Sequence, residues 1–392
     1  MKAIFGGKLI VPDARSEFRV LYEHALLYDQ NVKRIVPEAK LSADDRDDFA
    51  ERIDADGAFV SPGFVNIHIH GALGCDAMDD DETAVPNIAR HQASTGVSSF
   101  LPTTMTCPMP AVRRTLEHIR AAMGKTGGAR VLGAHMEGPF ISAARCGAQD
   151  AAHIIPADFS LIEPFLDVLR LVTFAPEELP EGSDFIKRCE AADIVLSIGH
   201  SAADYETALR CIAEKGVRHI THLYNGMTPF HHRTPGIVGA ALDSEADCEL
   251  IADNIHSHPA AHRLLWRAKQ GRNIILITDS MRAAGLGDGE SELGGQKVFV
   301  KNGVAALDDG TIAGSVLTMD RAVKNFAENT GCGLPVAVAC ASKAPAESLG
   351  LYERIGSIEQ GKRADLTIFD DEMRIKKTIV DGETVYDSSI QI

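Results

Sequence analysis

The sequence predicts an α/β fold, a (β/α)8 TIM-type barrel with a small β domain built from both chain ends. Three observations predict it. Eight short strand-like runs alternate with amphipathic helical stretches, no G-x-G-x-x-G follows the first run as a doubly wound sheet would have it, and further β-rich segments flank the series at both termini. A chain of 392 residues, 45% of them hydrophobic, has ample length to bury such a core.

The chain opens with KAIFGGKLIV, FRVLYEHALLY and KRIVPE, which read as β-hairpin material. The eight candidate strands follow at residues 64–70, 97–103, 131–137, 171–177, 194–200, 219–225, 248–254 and 273–279. Between them AVPNIARHQAST, AVRRTLEHIRAAM, ADYETALRCIAEKG and PAAHRLLWRAKQ carry apolar residues near i, i+3, i+4 spacing, with Gly shortly after several. ADLTIFD and IKKTIVDGETVYD close the chain as hairpin material again. These segments divide it into a small β domain of residues 1–58 and 345–392 and a barrel of residues 59–344. No repeat of 20–50 residues supports a solenoid or propeller.

Lys and Arg number 39 against 55 Asp and Glu, a net charge of −16. Nucleic acid and anionic membranes would be repelled at long range, so neither is an expected partner, and an anionic substrate needs a local basic pocket. The start, MKAIFGGKLIVPDARSEF, reads as neither signal peptide nor membrane span, and a cytoplasmic protein is expected. Eight cysteines are spread without a C-x-x-C pair, which predicts reduced thiols, mostly buried as small apolar groups.

The polar residues of the predicted strands carry the chemistry. His68 and His70, at i and i+2, share one strand face. Glu137, His200, His222 and Asp279 each fall at or near the C-terminal end of another strand, the rim where such barrels build active sites. One strand-end histidine alone is ordinary polar structure; four imidazoles and two carboxylates from five strands match the ligand preferences of a divalent ion. Glu137 suits a carboxylate bridging two metals. Asp279 reads either as a further ligand or as proton acceptor and donor beside a metal site.

Directly after His222 runs NGMTPFHHRTPG, a loop broken by glycine and proline. The Gly226 N–H, the Asn225 amide and the Arg233 guanidinium equip it for a phosphate, although an ordinary charged βα loop looks the same by spacing alone. His231 and His232 read as solvated or supporting residues. His256, in ADNIHSH, can reach a substrate from the same rim, whereas His135, on the same face as Glu137, reads as core or as a support behind the ligands, and His91, His118 and His153 as structural.

With these residues in view, SPGFVNIHIHG resembles the first-strand signature of the amidohydrolase superfamily. GAHMEGPFIS, SIGHS, THLYNGMTPFHHRTPG, LITDS and GTIAGS, in that order, resemble the N-acetylglucosamine-6-phosphate deacetylases, as does APAESLGLYERIGSIEQGKRADLTIFD near the end. The resemblance implies a (β/α)8 barrel with a β-sandwich from both termini, as a homodimer, hydrolysing the acetamide of N-acetyl-D-glucosamine 6-phosphate. It implies a divalent metal, zinc first with Fe²⁺, Mn²⁺ or Co²⁺ as alternatives, one or two per subunit. Glu137, His200 and His222 resemble the principal ligands, His68 and His70 those completing a second site, and Asp279 the catalytic acid/base. Ala148, Gln149, Asn225, Gly226, Arg233, His256, Ile312, Ala313 and Gly314 match substrate contacts, with Arg233 expected to reach the phosphate bound by the neighbouring subunit.

One position departs from the pattern. Where many members have a histidine twelve residues after the strand-three glutamate, this chain has Gln149, which can hydrogen-bond a sugar hydroxyl or the acetyl oxygen but carries no positive charge. The competing readings are an N-acetylgalactosamine-6-phosphate deacetylase, a cyclic amidase, which the missing lysine in LVTFAPE disfavours, and a non-catalytic scaffold, which retention of all six polar residues disfavours.

Overall fold

A computed structural model describes residues 1–42, 44, 48–124 and 127–390. Within them eight parallel strands pair in chain order: β1 (Phe64–Ile69), β2 (Val97–Thr104), β3 (Ala134–Glu137), β4 (Leu169–Phe174), β5 (Val195–Ile198), β6 (His219–Ile220), β7 (Asp247–Ile251) and β8 (Ile274–Ile277). The ring closes from β8 to β1 where Asp279 N–H donates to His68 O and His70 N–H to Ser280 O, both at 2.9 Å. The strands are buried along nearly their whole length, as expected for a parallel sheet covered on both faces.

Seven of the eight strands lead to an α-helix, at Ala84–Ser94, Met109–Ala122, Phe185–Ala191, Tyr205–Lys215, Gly236–Leu242, Pro259–Ala268 and Met319–Thr330 among the described residues. The sequence signals act as expected at their ends. Asp204 accepts the Thr207 N–H at one helix start, and Gly216 closes the same helix at φ +71°. After β3 the chain instead makes 3-10 turns at Ala143–Arg145, Ala151–His153, Phe159–Leu161 and Glu163–Phe165.

Three local expectations differ from the structure. The run 219–225 is strand only at His219–Ile220, because His222 already takes φ +28°, which no pleated strand accommodates. After β8 the chain inserts a three-stranded antiparallel sheet, Gly289–Leu293, Gln296–Lys301 and Val304–Ala306, which the barrel pattern does not announce. KAIFGGKLIV is not a hairpin: Lys2–Phe5 pairs with His24–Tyr28 and Glu51–Asp54, while Lys8–Pro12 pairs with Phe18–Leu21 and Phe59–Pro62. The Gly6-Gly7 step passes the chain from one sheet to the other.

Those two sheets form the terminal layers. A four-stranded sheet comes wholly from the first 54 residues, and a six-stranded sheet adds Leu366–Phe369, Ile375–Val380 and Glu383–Asp387 from the C-terminus. Ile4, Leu9, Leu26, Tyr28, Val60, Leu366 and Ile379 form the apolar layer between them. The turn joining the last two strands has Asp381 and Gly382 at φ +51° and +78°, the mirror-image turn that matches strand twist. A Cβ on Gly382 would lie 1.9 Å from Asp29 O, so that position admits only glycine.

The six-stranded sheet braces the barrel. Phe369 stacks on Phe59 at 5.6 Å and meets Phe64 of β1 at 6.2 Å, and Thr367 Oγ1 donates to Gly96 O. Arg130, on the short strand Arg130–Val131 beside β2, reaches Asp365 at 2.6 Å and Asp381 at 2.8 Å. No helix among the described residues is long and apolar enough to cross a membrane. Arg130→Met strands the buried Asp365 carboxylate without its counter-charge and should lower stability by about 3–5 kcal/mol. Urea titration checks this; a change below about 1 kcal/mol would show that the pair contributes little to joining the layers.

Candidate active site and metal centre

The site lies at the C-terminal ends of the barrel strands, and three of its residues reach it through strained backbone. His200, His222 and Asp279 each sit two residues past β5, β6 and β8, at φ +46°, +28° and +47°. This left-handed turn is disfavoured for residues with a Cβ and swings each side chain into the barrel mouth. Neighbouring bonds hold it: Ser142 N–H donates to His200 O, and Ser315 N–H to Asp279 O, both at 2.8 Å.

Glu137, at the end of β3 and 2% exposed, is the hub. Its Oε1 lies 3.1 Å from His200 Nε2, 3.0 Å from His222 Nε2 and 3.4 Å from His68 Nε2, and its Oε2 lies 3.2 Å from His70 Nε2. Asp279 Oδ1 stands 3.3 Å from His70 Nε2 and 3.5 Å from His68 Nε2. Two candidate ligand sets share the hub, Glu137 with His200 and His222, and Glu137 with His68 and His70.

The donor chemistry fits a divalent cation. His70 Nδ1 and His200 Nδ1 donate to Thr103 O and Arg145 O, so Nε2 of each ring points inward and is the atom that a cation in place of a proton would take. The Nε2 atoms of His200 and His222 face each other at 3.1 Å, and buried His68 Nε2 has no hydrogen-bond partner among the described residues. Converging lone pairs beside a buried carboxylate are stabilised by a shared positive charge.

The electrostatics agree. Burial disfavours charge on Glu137, but His68 and His200 outweigh it and hold the carboxyl well below the usual range. Burial likewise opposes ionisation of Asp279, yet His68 and His70 bring it down to about 2. His70 is pushed up to about 9 by Asp279 and Glu137 against the opposing effect of burial. His135 is different: burial and the nearby His68 drive it well below the ordinary histidine value, and its nitrogens meet Ile67 O and Thr173 Oγ1. It is fully buried in the core, one of the two roles its sequence position allows.

His70, Glu137, His200, His222 and Asp279 line a cavity of about 190 Å³ with Met105, Gly147, Ala148, Gln149, Asn225, Gly226, His256, Leu293, Thr311, Ile312 and Gly314. A larger cleft, about 680 Å³, opens beside the first residues of β5, β6 and β7 and contains neither Glu137 nor its ligand partners. Gly226 packs so close to His200 that a Cβ there would lie 2.9 Å from Nδ1, which with φ +60° explains the glycine. Asn225 Nδ2 donates to His222 O and Leu223 O, and His256 Nδ1 meets Asp253 Oδ2 at 2.6 Å.

Some sequence candidates lie elsewhere. Ala313 is fully buried against the inserted sheet, its N–H donated to Ala305 O, while Ile312 and Gly314 on either side line the cavity. Arg233 is exposed, beside His232, and is not among the lining residues. Gln149 is close but otherwise engaged: Oε1 accepts the Thr106 N–H at 2.6 Å, which turns Nε2 onto Glu137 Oε2 at 2.7 Å. The sequence reading overlooked Glu249 of β7, whose Oε2 meets His68 Nδ1 at 3.0 Å; a carboxylate inside the apolar run CELIA was the available signal. Thr311 stood unnamed inside the quoted motif GTIAGS, whereas Met105 and Leu293 gave no signal, since tertiary folding alone brings them to the cavity.

Residues 59–385 match the amidohydrolase family. The chain belongs to that family. The N-acetylglucosamine-6-phosphate deacetylase of Bacillus subtilis (strain 168) is 40% identical over 334 residues, 83% of this chain and 84% of that one. The N-acetylgalactosamine-6-phosphate deacetylase of Escherichia coli O157:H7 is 37% identical over 335 residues, 84% of this chain and 88% of that one. The crystal structure of N-acetylglucosamine-6-phosphate deacetylase from Thermotoga maritima superposes with a TM-score of 0.85 at 34% identity, covering 98% of this chain and all of that one.

Gln149→Ala should act through Glu137. Metal retention against a chelator is expected to fall about 10–100-fold, as when other groups bonded to metal ligands are removed. Unchanged retention with a raised KM would instead make Gln149 a direct substrate contact.

Proposed function

We propose that this chain hydrolyses the acetamide of N-acetyl-D-glucosamine 6-phosphate to D-glucosamine 6-phosphate and acetate, using two divalent-metal sites that share Glu137. One observation carries the reading: a buried carboxylate ringed by four imidazoles, with a strongly ionised Asp279 beside them, in a chain so similar to deacetylases of this class. The β4 end supports it, because Thr173 stands there and no lysine is available to bridge metals as a carbamate.

A divalent ion held by Glu137, His200 and His222, or by Glu137, His68 and His70, would supply Lewis acidity toward the acetyl carbonyl and the attacking water. Asp279, ionised at neutral pH, accepts a proton as that water attacks the carbonyl carbon. It then gives the proton to the amide nitrogen as the C–N bond breaks, so the amine departs neutral, and the second proton of the water stays on the new carboxyl group until it is lost to solvent as acetate is released. Asn225, Gly226 and His256 line the cavity where the sugar phosphate would bind, with Asp253 orienting His256.

The metal is proposed to be zinc and the enzyme a cytoplasmic homodimer. All eight cysteines are free, in keeping with a reducing compartment. Arg233 is exposed outside its own cavity, as suits a residue serving the phosphate bound by the neighbouring subunit.

Asp279→Asn should leave metal content nearly intact while lowering kcat about 10²–10⁴-fold; wild-type turnover would remove Asp279 from the chemistry. Arg233→Ala should raise KM for the phosphosugar about tenfold or more and leave an unphosphorylated analogue unaffected. Equal losses on both would refute its phosphate role. The decisive assay is acetate release from the gluco phosphate, its galacto epimer and the unphosphorylated sugar by metal-loaded enzyme. Preference for the gluco phosphate is expected, and silence on all three would overturn the reading.

A further inference from the structure

We propose that Glu249 is a positioning residue joining the two halves of the metal centre: it orients His68 as a ligand and holds the backbone of His222. The proposal rests on the two-metal reading above. Glu249 lies within β7, flanked by Cys248 and Leu250, with no solvent exposure. A carboxylate placed there forgoes hydration worth several kcal/mol, and an apolar residue of similar size would fill the space without that loss. Its bonds show where it acts.

Both bonds run through one oxygen. Oε2 meets His68 Nδ1 and accepts the His222 N–H, each at 3.0 Å. Pinned at Nδ1, the His68 ring presents Nε2 toward Glu137 Oε1 and Asp279 Oδ1, at 3.4 and 3.5 Å. A ring held through Nδ1 by a carboxylate is fixed in tautomer and is a stronger electron donor through Nε2. His70 and His200 rely on backbone carbonyls at the same position, so His68 differs from them in having an anionic partner.

The second bond acts on the other ligand set. His222 takes φ +28°, and Glu249 grips that turn twice, through its carboxylate on the His222 N–H and through its own carbonyl on the Leu223 N–H at 2.9 Å. One residue on β7 therefore sets a side chain on β1 and a backbone turn after β6. His135 packs edge-on against His68 at 4.5 Å, but both its nitrogens are engaged elsewhere, so the trio His68, His135 and Glu249 is a support and not a third ion site.

The test measures metal binding by the full-length protein, stripped with a chelator and titrated with Zn²⁺ and Co²⁺, with the Co²⁺ absorption spectrum as an independent readout. Wild type should take up two ions per chain, and His70→Ala should mark the site that includes His68. Glu249→Gln is expected to reproduce the His70→Ala pattern, one ion class weakened about 10–100-fold and the other less affected, with the stripped protein still unfolding cooperatively. Glu249→Asp, which keeps the charge on a shorter arm, should weaken the same class and serves if the Gln variant does not fold.

Two ions bound by both Glu249 variants with wild-type affinity would overturn the role of Glu249 alone. Weakening of both classes, by way of His68 and of the His222 turn, would equally support the joint role, whereas weakening of the His222 class alone, or failure of both variants to fold, would make it a purely structural group and overturn the proposal. A single ion class in the wild type would overturn the two-metal reading itself, and this proposal with it.

Discussion

The structure at the barrel mouth depends on one buried negative charge. Glu137 is almost wholly removed from water, where an isolated carboxylate would be penalised by several kcal/mol. Its two oxygens are divided between partners, His68, His200 and His222 at Oε1, His70 and Gln149 at Oε2. Side chains from β1 and from the turns after β3, β5 and β6 therefore converge on a single group. The division of its oxygens is what allows one carboxylate to serve two ligand sets.

Such convergence requires backbone that strands do not provide. His200, His222 and Asp279 leave their strands through left-handed turns, each disfavoured by about 1–3 kcal/mol. The compensating bonds come from other parts of the barrel, Ser142 to His200, Glu249 to His222 and Leu223, and Ser315 to Asp279. Strain is thus stored where the polar groups are needed and offset by contacts distant in sequence. The six-stranded terminal sheet braces the barrel from outside through Phe369 and Thr367.

The chain carries a net charge of −16, yet its proposed substrate is a phosphate. The answer the structure offers is local. The segment after His222 places Asn225 and Gly226 at the cavity while Arg233 remains exposed outside it. The inserted sheet after β8 contributes Leu293 to the cavity lining, an apolar surface suited to a sugar face or an acetyl methyl group. Gln149, at the position that most set this chain apart, is turned toward Glu137 and away from a free role in the cavity.

Much was legible in the sequence because it is periodic or local. Alternating runs predicted the barrel, i and i+2 spacing placed His68 and His70 on one face, and strand-end positions selected Glu137, His200, His222 and Asp279. Contacts between distant segments were not legible. The sheet exchange at Gly6-Gly7, the engagement of Gln149 by Thr106 and the grip of Glu249 on His68 all join residues whose partners lie far away in the chain. The sequence by itself determined which polar groups the strands would carry to the barrel rim. Tertiary structure alone decided which of them share Glu137 and which groups hold them there, because those bonds are set by barrel closure and side-chain packing, which no local spacing encodes.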